Sequence, residues 1–552
     1  MPTPVRPNEL VQLITATMES VTPATCTALC VGCLTYILLR AFRTFAGTGS
    51  ARGLAKLPGP RGWPFVGYLR PVEKPVSAMY RQWSEDYNSD IIGVNMLGTN
   101  IVIANTLKVA AELLETRSAI YSDRPNIGNT MLRELVEFDW NMSVARYDSY
   151  WRDSRKAASQ GFHLQAVMRC RPAQVNVTLK LLRNLMDAPE DFRSYIKYFA
   201  GQQIMHITYG IETQDRNDPY IEAAEHAVAI AIACLVPGSF LVDLIPILKY
   251  IPEWFPGAGF KRQAREWRKH ISHTLNAPFA AIKACASSCT ISFSNNQPPL
   301  LEKMLDGPGD PVYAEHVIKG TLASMYLGGA DTTTSTLETF LLAMTLHPEV
   351  LQEAQRSVDR VCEGRLPDFS DYDALPWIHA IVRECLRWRP VVRMNVAHMV
   401  TKDDVYEGYH IPKGSLVLAN IWAILHDPEA YADPETFNPR RFLRPRPGAD
   451  ATDAENVELD PTVRDPIVVA FGFGRRICPG RHMAYQSLWV AVASIAAAFD
   501  ITKAVDAHGA VIEPSGEYTD GLITAPEPFK CCIRPRSAAH AAWVQAALEQ
   551  DA

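Results

Sequence analysis

A chain of 552 residues, 47% of them hydrophobic and with a formal net charge of -6, can bury a large core and carries no nucleic-acid footprint. Its twelve cysteines show neither zinc-like pairing nor the spacing of a small disulfide scaffold, which fits a reducing compartment. No internal period points to a solenoid.

Residues 20–39 carry no charge and as a helix would span about 30 Å, one hydrocarbon core. Arg6 is the only basic residue before them, while Arg40, Arg43, Arg52 and Lys56 follow. The reading is a retained signal anchor at 23–42, with a lumenal segment at 1–22 and the rest of the chain in the cytosol. Cys26, Cys30 and Cys33 lie in that run and read as small apolar residues. Residues 43–67 form a linker, made stiff by the Pro- and Gly-rich Leu57–Gly67. Ile91–Asn105 reads as a hairpin of short strands, Leu107–Glu115 as a helix and residues 160–280 as mostly helical. Within that region Val242–Lys261 is an apolar, Pro-rich connector, either dipping into a membrane or packed as a plain buried loop. Residues 284–299 and 444–466 read as surface loops. The Ala-rich end, 537–552, reads as a peripheral helix or a disordered tail.

The residue patterns that carry chemistry come later in the chain. A long helical pattern runs from Tyr313 past Leu346 and holds Gly328-Gly329-Ala330-Asp331-Thr332-Thr333 at its centre. Two adjacent glycines weaken a helix by roughly 1 kcal/mol each, a cost that is tolerable where something must approach the backbone. Thr332 can hydrogen-bond that backbone and open a groove. Glu384-Cys-Leu-Arg387 puts opposite charges one turn apart. Then comes Phe471-Gly-Phe-Gly-Arg-Arg-Ile-Cys478-Pro-Gly480-Arg-His. Cys478 supplies a soft thiolate able to bind iron, and Pro479 places it at a helix start, where N–H groups and the dipole favour the anion. Gly474 and Gly480 let backbone approach a flat cofactor, Phe471 shields the sulfur, and Arg476 can pair with a carboxylate. The bland alternative is a buried structural cysteine in a Gly-rich turn.

That stretch resembles the haem-binding signature F-x-x-G-x-R-x-C-x-G of the cytochrome P450 family. The resemblance extends to Trp151-Arg-Asp-Ser-Arg155 (W-x-x-x-R), the Gly328–Thr333 motif, E-x-x-R at Glu384 and Arg387, and F-x-P-x-R-F at Phe437–Phe442. The connector at 242–261 is similar to one in a group of fungal members of the O-methylsterigmatocystin oxidoreductase type. The resemblance implies a mainly α fold with small β-sheets, the cytochrome P450 fold, over 68–536, behind an N-terminal transmembrane helix and ahead of a C-terminal tail at 537–552. It implies haem b on Cys478, with Trp151, Arg155, His398 and Arg476 toward its propionates. Gly328 and Gly329 would leave room for dioxygen, Thr332 would hydrogen-bond it, and Asp331 would relay protons. Glu384, Arg387 and Arg441 would form a structural triad. Val391–Val396 and Gly521–Thr524 would wall an apolar pocket, in which Arg393 and Asn395 either anchor a polar end or face away.

Little chain follows the signature and there is no G-x-G-x-x-G. NADPH is therefore expected to act only through a separate P450 reductase, docked on a basic patch of Arg475, Arg476 and Arg481, with cytochrome b5 as a second donor. The expected enzyme is a single-pass protein of the endoplasmic reticulum membrane that oxidises an apolar small molecule in fungal secondary, terpenoid, metabolism. The alternatives are a broad-specificity xenobiotic or fatty-acid hydroxylase, a relative catalysing rearrangement or dehydration, and a non-catalytic haem-binding protein.

Overall fold

The computed structural model describes residues 54–63, 67–68, 75–96, 98–125, 129–236, 238–288, 300, 304, 313–448 and 456–551. The anchor expected at 23–42, the lumenal segment and the first part of the linker lie outside them. Among the described residues no helix is long and apolar enough to cross a membrane.

Helix α1 (Val76–Asp86) leads into β1 (Ile91–Met96) and β2 (Thr99–Ala104), the antiparallel hairpin read from the sequence, with Ile91 opposite Ala104. The helices then follow in order: α2 (Ser149–Phe162), α3 (Arg171–Asp187), α4 (Phe192–Tyr209), α5 (Pro219–Leu235), α6 (Gly259–Ser288), α7 (Glu315–Leu346), α8 (Pro348–Cys362) and α9 (Pro376–Trp388). Two strands, β3 (His398–Met399) and β4 (Leu416–Ala419), complete a four-stranded sheet of order β1-β2-β4-β3. β2 and β4 run parallel across a separation of more than 300 residues. Helix α10 (Arg481–Ala498), the hairpin of β5 (Phe499–Lys503) with β6 (Cys531–Pro535), and α11 (Ala538–Asp551) close the chain.

The 32 residues of α7 make a rod about 48 Å long. Hydrophobic and small side chains occur all round it, and most of its residues are buried, the mark of a helix through a core rather than on a surface. It packs most extensively on α4 and also touches α2, α9 and α10, so it joins the two main apolar clusters.

Four local expectations are refined. Leu57–Gly59 lies against β1: Gly93 N–H donates to the Pro58 carbonyl at 2.8 Å, and Gly59 adopts φ +154° where a Cβ would collide with the Gly93 carbonyl. Helix α6 runs on to Ser288, through the start of the loop expected at 284–299, because Ala284–Ala286 holds no breaker; residues 289–299 lie outside the described residues. In the loop expected at 444–466, Leu443–Pro445 pairs antiparallel with Val457–Leu459. The Ala-rich end is α11. It buries Val544 completely in the main core, and the preceding Arg536 pairs both guanidinium nitrogens with Asp359 at 2.7 and 2.6 Å.

The apolar connector is exposed where it is most apolar. Ile247, Tyr250 and Trp254 are 63%, 75% and 79% exposed, which excludes a plain buried loop for these side chains, and Leu241, just ahead of the connector, is 64% exposed. Asp243 is turned inward and accepts from Met131 N–H at 2.8 Å, holding the segment against the body.

Candidate active site

Cys478 occupies a turn ahead of α10, with Gly480 at the helix N-cap. Its N–H donates to the Phe471 carbonyl at 2.8 Å, which folds the loop back on itself and leaves Phe471 half-buried beside it. A Cβ on Gly480 would lie 3.9 Å from the Cys478 sulfur and 3.7 Å from Met325 of α7. Gly474 serves a different purpose from the one expected. At φ +56° its missing side chain admits the Leu114 carbonyl, 2.0 Å from where a Cβ would be, so it locks the loop to the helical turn at 112–116. Burial pushes the Cys478 thiol above its ordinary pKa, against the opposing pull of the Gly480 N–H and the charges of Arg155 and Arg481. The helix-start effect read from the sequence is present but does not win; a metal cation on the sulfur would supply what is missing.

Cationic and N–H groups gather next to this loop. The Arg476 guanidinium donates to the carbonyls of Ser122, Met142 and Ala145 at 2.8, 3.1 and 2.9 Å. It stacks over the Trp151 ring at 4.3 Å, and burial pushes its pKa down to about 9. Asp148 caps α2 by accepting from the Trp151 N–H, which fixes where that indole enters the site. Arg124 is buried and donates to the carbonyls of Ser143, Val396 and Ala397. His398 Nδ1 lies 2.6 Å from the Tyr121 carbonyl, which can only accept, so Nδ1 carries the hydrogen. Burial, with Arg124 and Arg476 beside it, holds this imidazole neutral. The ring N–H expected to meet a propionate is thus already engaged, and Nε2 donates only once protonated, as a neighbouring carboxylate would favour. Arg155 lies one helical turn beyond Trp151, half-buried, with its charge acting on Cys478.

The Trp151 Nε1–H is buried without a hydrogen-bond partner. An orphaned indole donor among buried guanidinium groups, beside a thiol whose anion needs a cation, fits the two carboxylates and the iron of haem b. Sequence reasoning missed Arg124 as a member of this cluster. Its signal was Ser122-Asp-Arg-Pro125: Asp123 accepts from Arg146 and from the N–H groups of Arg124 and Tyr147, which sets the turn that aims Arg124 inward.

On α7 the paired glycines divide their roles. Gly328 is exposed next to the buried Leu327, and a Cβ there would meet nothing within 4 Å, so the helix backbone is open to approach at this point. Gly329 faces α4, where a Cβ would meet Ile204 at 3.1 Å; it serves helix packing and not the room for dioxygen expected of it. The Thr332 hydroxyl donates to the Gly328 carbonyl at 2.7 Å. Burial pushes the Asp331 carboxyl up to about 6, with Lys197 opposing and Glu225 and Glu338 adding to the rise. Ser335 donates to the Thr524 carbonyl at 2.6 Å, and Thr524 N–H to Val391 at 2.8 Å, which holds both expected pocket walls against α7. Asn395 faces the sheet, its Oδ1 accepting from Ala419 N–H. Arg393 is half-buried near Asp520 and Tyr518.

Glu384 and Arg387, both fully buried, meet the half-buried Arg441 in one cluster. Arg387 is bidentate on Glu384 at 2.7 and 2.9 Å, Arg441 reaches the same carboxylate at 3.2 Å, and Arg387 also donates to three backbone carbonyls. The basic patch loses Arg476 to the interior; Arg475 remains exposed, donating to Tyr147 Oη at 2.6 Å.

Comparison with known proteins agrees with this geometry. The family model for cytochrome P450 matches residues 57–533. Cytochrome P450 monooxygenase 98 of Postia placenta is 42% identical over 87% of this chain and 91% of its own. Tryptamine 4-monooxygenase of Psilocybe cyanescens is 37% identical over 87% of this chain and 93% of its own. A solved zebra fish cytochrome P450 covers 84% of this chain and 100% of its own at TM-score 0.64 and 20% identity, a likeness of fold alone.

Proposed function

Because the chain belongs to the cytochrome P450 family, and is a monooxygenase of that family with haem b as its cofactor, we propose that it oxidises an apolar small molecule of fungal secondary metabolism, of terpenoid type, at the membrane surface and with electrons from a separate NADPH-dependent reductase. The observation that carries this reading is the stretch of α7 at Gly328, where a Cβ would meet nothing within 4 Å, with Thr332 bonded to the Gly328 carbonyl and Thr524, itself bonded to Val391, held against the same helix by Ser335.

Bound haem supplies an iron centre that activates dioxygen, and a thiolate ligand promotes O–O cleavage. The chain's own residues do the rest. Cys478 would hold the iron through its sulfur, and the hydrogen-bonded loop from Phe471 keeps that sulfur in place. Arg124 and Arg476 would neutralise the carboxylates, and the Trp151 N–H would orient them, with His398 joining once protonated. Thr332 gives up its bond to the Gly328 carbonyl when its hydroxyl turns toward bound substrate. Asp331, with a pKa of about 6, holds a proton in a useful fraction of molecules near neutral pH and passes it inward from the side of Lys197 and Glu225. Val391 and Ile523 keep bulk water out.

The exposed Ile247, Tyr250 and Trp254 of the connector, with Leu241 just ahead of it, suit a lipid surface, and the anchor expected at 23–42 would hold the chain there. Arg475 and Arg481 flank the thiolate loop and suit an acidic reductase surface. An optical titration of haem-loaded protein with sesquiterpenes, diterpenes, fatty acids and aromatic polycycles tests the substrate class. A tight low- to high-spin shift with one terpene scaffold is expected. Weak shifts with many unrelated compounds would replace this reading with a broad detoxifying one, and a shift confined to fatty acids with a fatty-acid hydroxylase.

A further inference from the structure

A cavity of about 470 Å³ opens to solvent beside the thiolate loop, lined among others by Arg481 and Tyr485 of α10, His379 of α9, Tyr372 and Arg446. Two of these side chains form a pair that the oxygen chemistry above does not use. Tyr485 Oη lies 2.8 Å from His379 Nδ1, and His379 Nε2 lies 2.9 Å from the Tyr372 carbonyl. The carbonyl only accepts, so Nε2 carries the hydrogen and Nδ1 offers a bare lone pair to the phenol. Tyr485 therefore donates to an unprotonated base. Both side chains are buried, and burial keeps His379 neutral, its pKa pushed down to about 4. Trp489, one turn further along α10, lies 4.8 Å from the Tyr372 ring and 5.9 Å from the His379 ring. Tyr485 is the fifth residue of α10, only about 6 Å along the axis from the end that follows Cys478.

A buried phenol gives up an electron readily only when its proton has somewhere to go, and here the acceptor is in place. We propose that Tyr485 and His379 form a proton-coupled redox pair that drains unspent oxidising equivalents from the haem pocket to a small anionic one-electron reductant in the cavity. The proposal rests on the haem-thiolate reading above. In the first step Tyr485 loses one electron to the oxidised cofactor, which is reduced by one electron; the O–H bond breaks and the proton moves to His379 Nδ1, leaving a neutral phenoxyl and an imidazolium. In the second, a reductant of the ascorbate class returns one electron to the phenoxyl, and the proton goes back to its oxygen. Arg481, whose guanidinium donates to the Cys478 carbonyl at 3.3 Å, and Arg446 give the cavity cationic groups for such an anion, alongside Asp373 and Glu458 in the same lining.

The test mixes haem-loaded full chain, first shown to have a thiolate-type spectrum, with hydrogen peroxide in the absence of substrate, followed by freeze-quench electron paramagnetic resonance. A tyrosyl signal is expected in the wild type, quenched by ascorbate. It should be lost in Tyr485→Phe, which removes one hydroxyl and keeps the ring. His379→Gln, able to accept a hydrogen bond but not a proton, should lose it too, and in both variants the haem should bleach faster. An undiminished tyrosyl signal in Tyr485→Phe, or no protein radical in the wild type, overturns the proposal. If Tyr485→Phe does not load haem, His379→Gln decides alone, a wild-type yield there being the refutation. A wild type without the thiolate spectrum would be a failure of the underlying reading instead.

Discussion

Asp331→Asn should make the protein more stable and the enzyme worse, with a pH signature. Burial raises this carboxyl from its ordinary 3.8 to about 6. The folded state thus binds a proton more tightly than the unfolded chain, and stability falls as pH rises through the window between those values. At about 1.36 kcal/mol per unit, the charged form costs about 3 kcal/mol at pH 7.5 and about half of that at pH 5. An uncharged amide of the same shape escapes the cost. Thermal melts of both haem-loaded proteins should show the variant ahead by a few degrees at pH 7.5, with the margin shrinking toward pH 5. In turnover the variant should form less product per NADPH consumed and release more reduced oxygen, because the inward proton donor is gone. Equal melting temperatures at both pH values, or a margin that grows toward pH 5, would refute the burial argument. Unchanged coupling would refute the relay.

Other perturbations reach other parts of the molecule. Arg387→Leu strands the fully buried Glu384 with only Arg441 and the Asn438 N–H, and should cost about 3–5 kcal/mol, read as a collapse in the yield of folded haem-loaded protein. Arg124→Gln removes a buried cation from the carboxylate cluster and should weaken haem retention roughly 10–100-fold in competition with apomyoglobin, without moving the thiolate band of the fraction that stays loaded. Leu241→Ser with Ile247→Ser, in a chain beginning at residue 54, should reduce partition into neutral vesicles, each side chain contributing up to about 1.5–3 kcal/mol; unchanged flotation would show that the connector does not touch lipid.

The residues that carry chemistry were legible because they lie in short, fixed spacings. Cys478, the Asp331–Thr332 pair and the Glu384–Arg387 turn could each be picked out with the physical job stated in advance. Reasons that depend on distant partners were not legible. Gly474 and Gly329 read as glycines for a cofactor and for dioxygen, yet the groups that crowd them are Leu114, 360 positions away, and Ile204 of another helix. Arg124 gave no sign beyond a turn motif, because its partners are carbonyls at 143, 396 and 397. The helix at 538–551 could not be told from a tail, since what orders it is the burial of Val544 against elements fixed hundreds of residues earlier. Periodicity found the helices themselves, α7 above all, but an all-round apolar pattern says only that a helix is buried and not which side faces a void.

The hydrogen bond from Arg476 to the Ser122 carbonyl spans 354 residues of chain. On a ribosome adding roughly 5–20 residues per second, one half of the haem cradle emerges some 20–70 s before the other. For that interval Trp151 and Arg124 have neither the thiolate nor Arg476 beside them. Cofactor capture therefore waits until Cys478 and Arg476 have emerged, and cells starved of haem at that stage would accumulate a chain whose carboxylate-binding and thiolate groups have met but hold no cofactor.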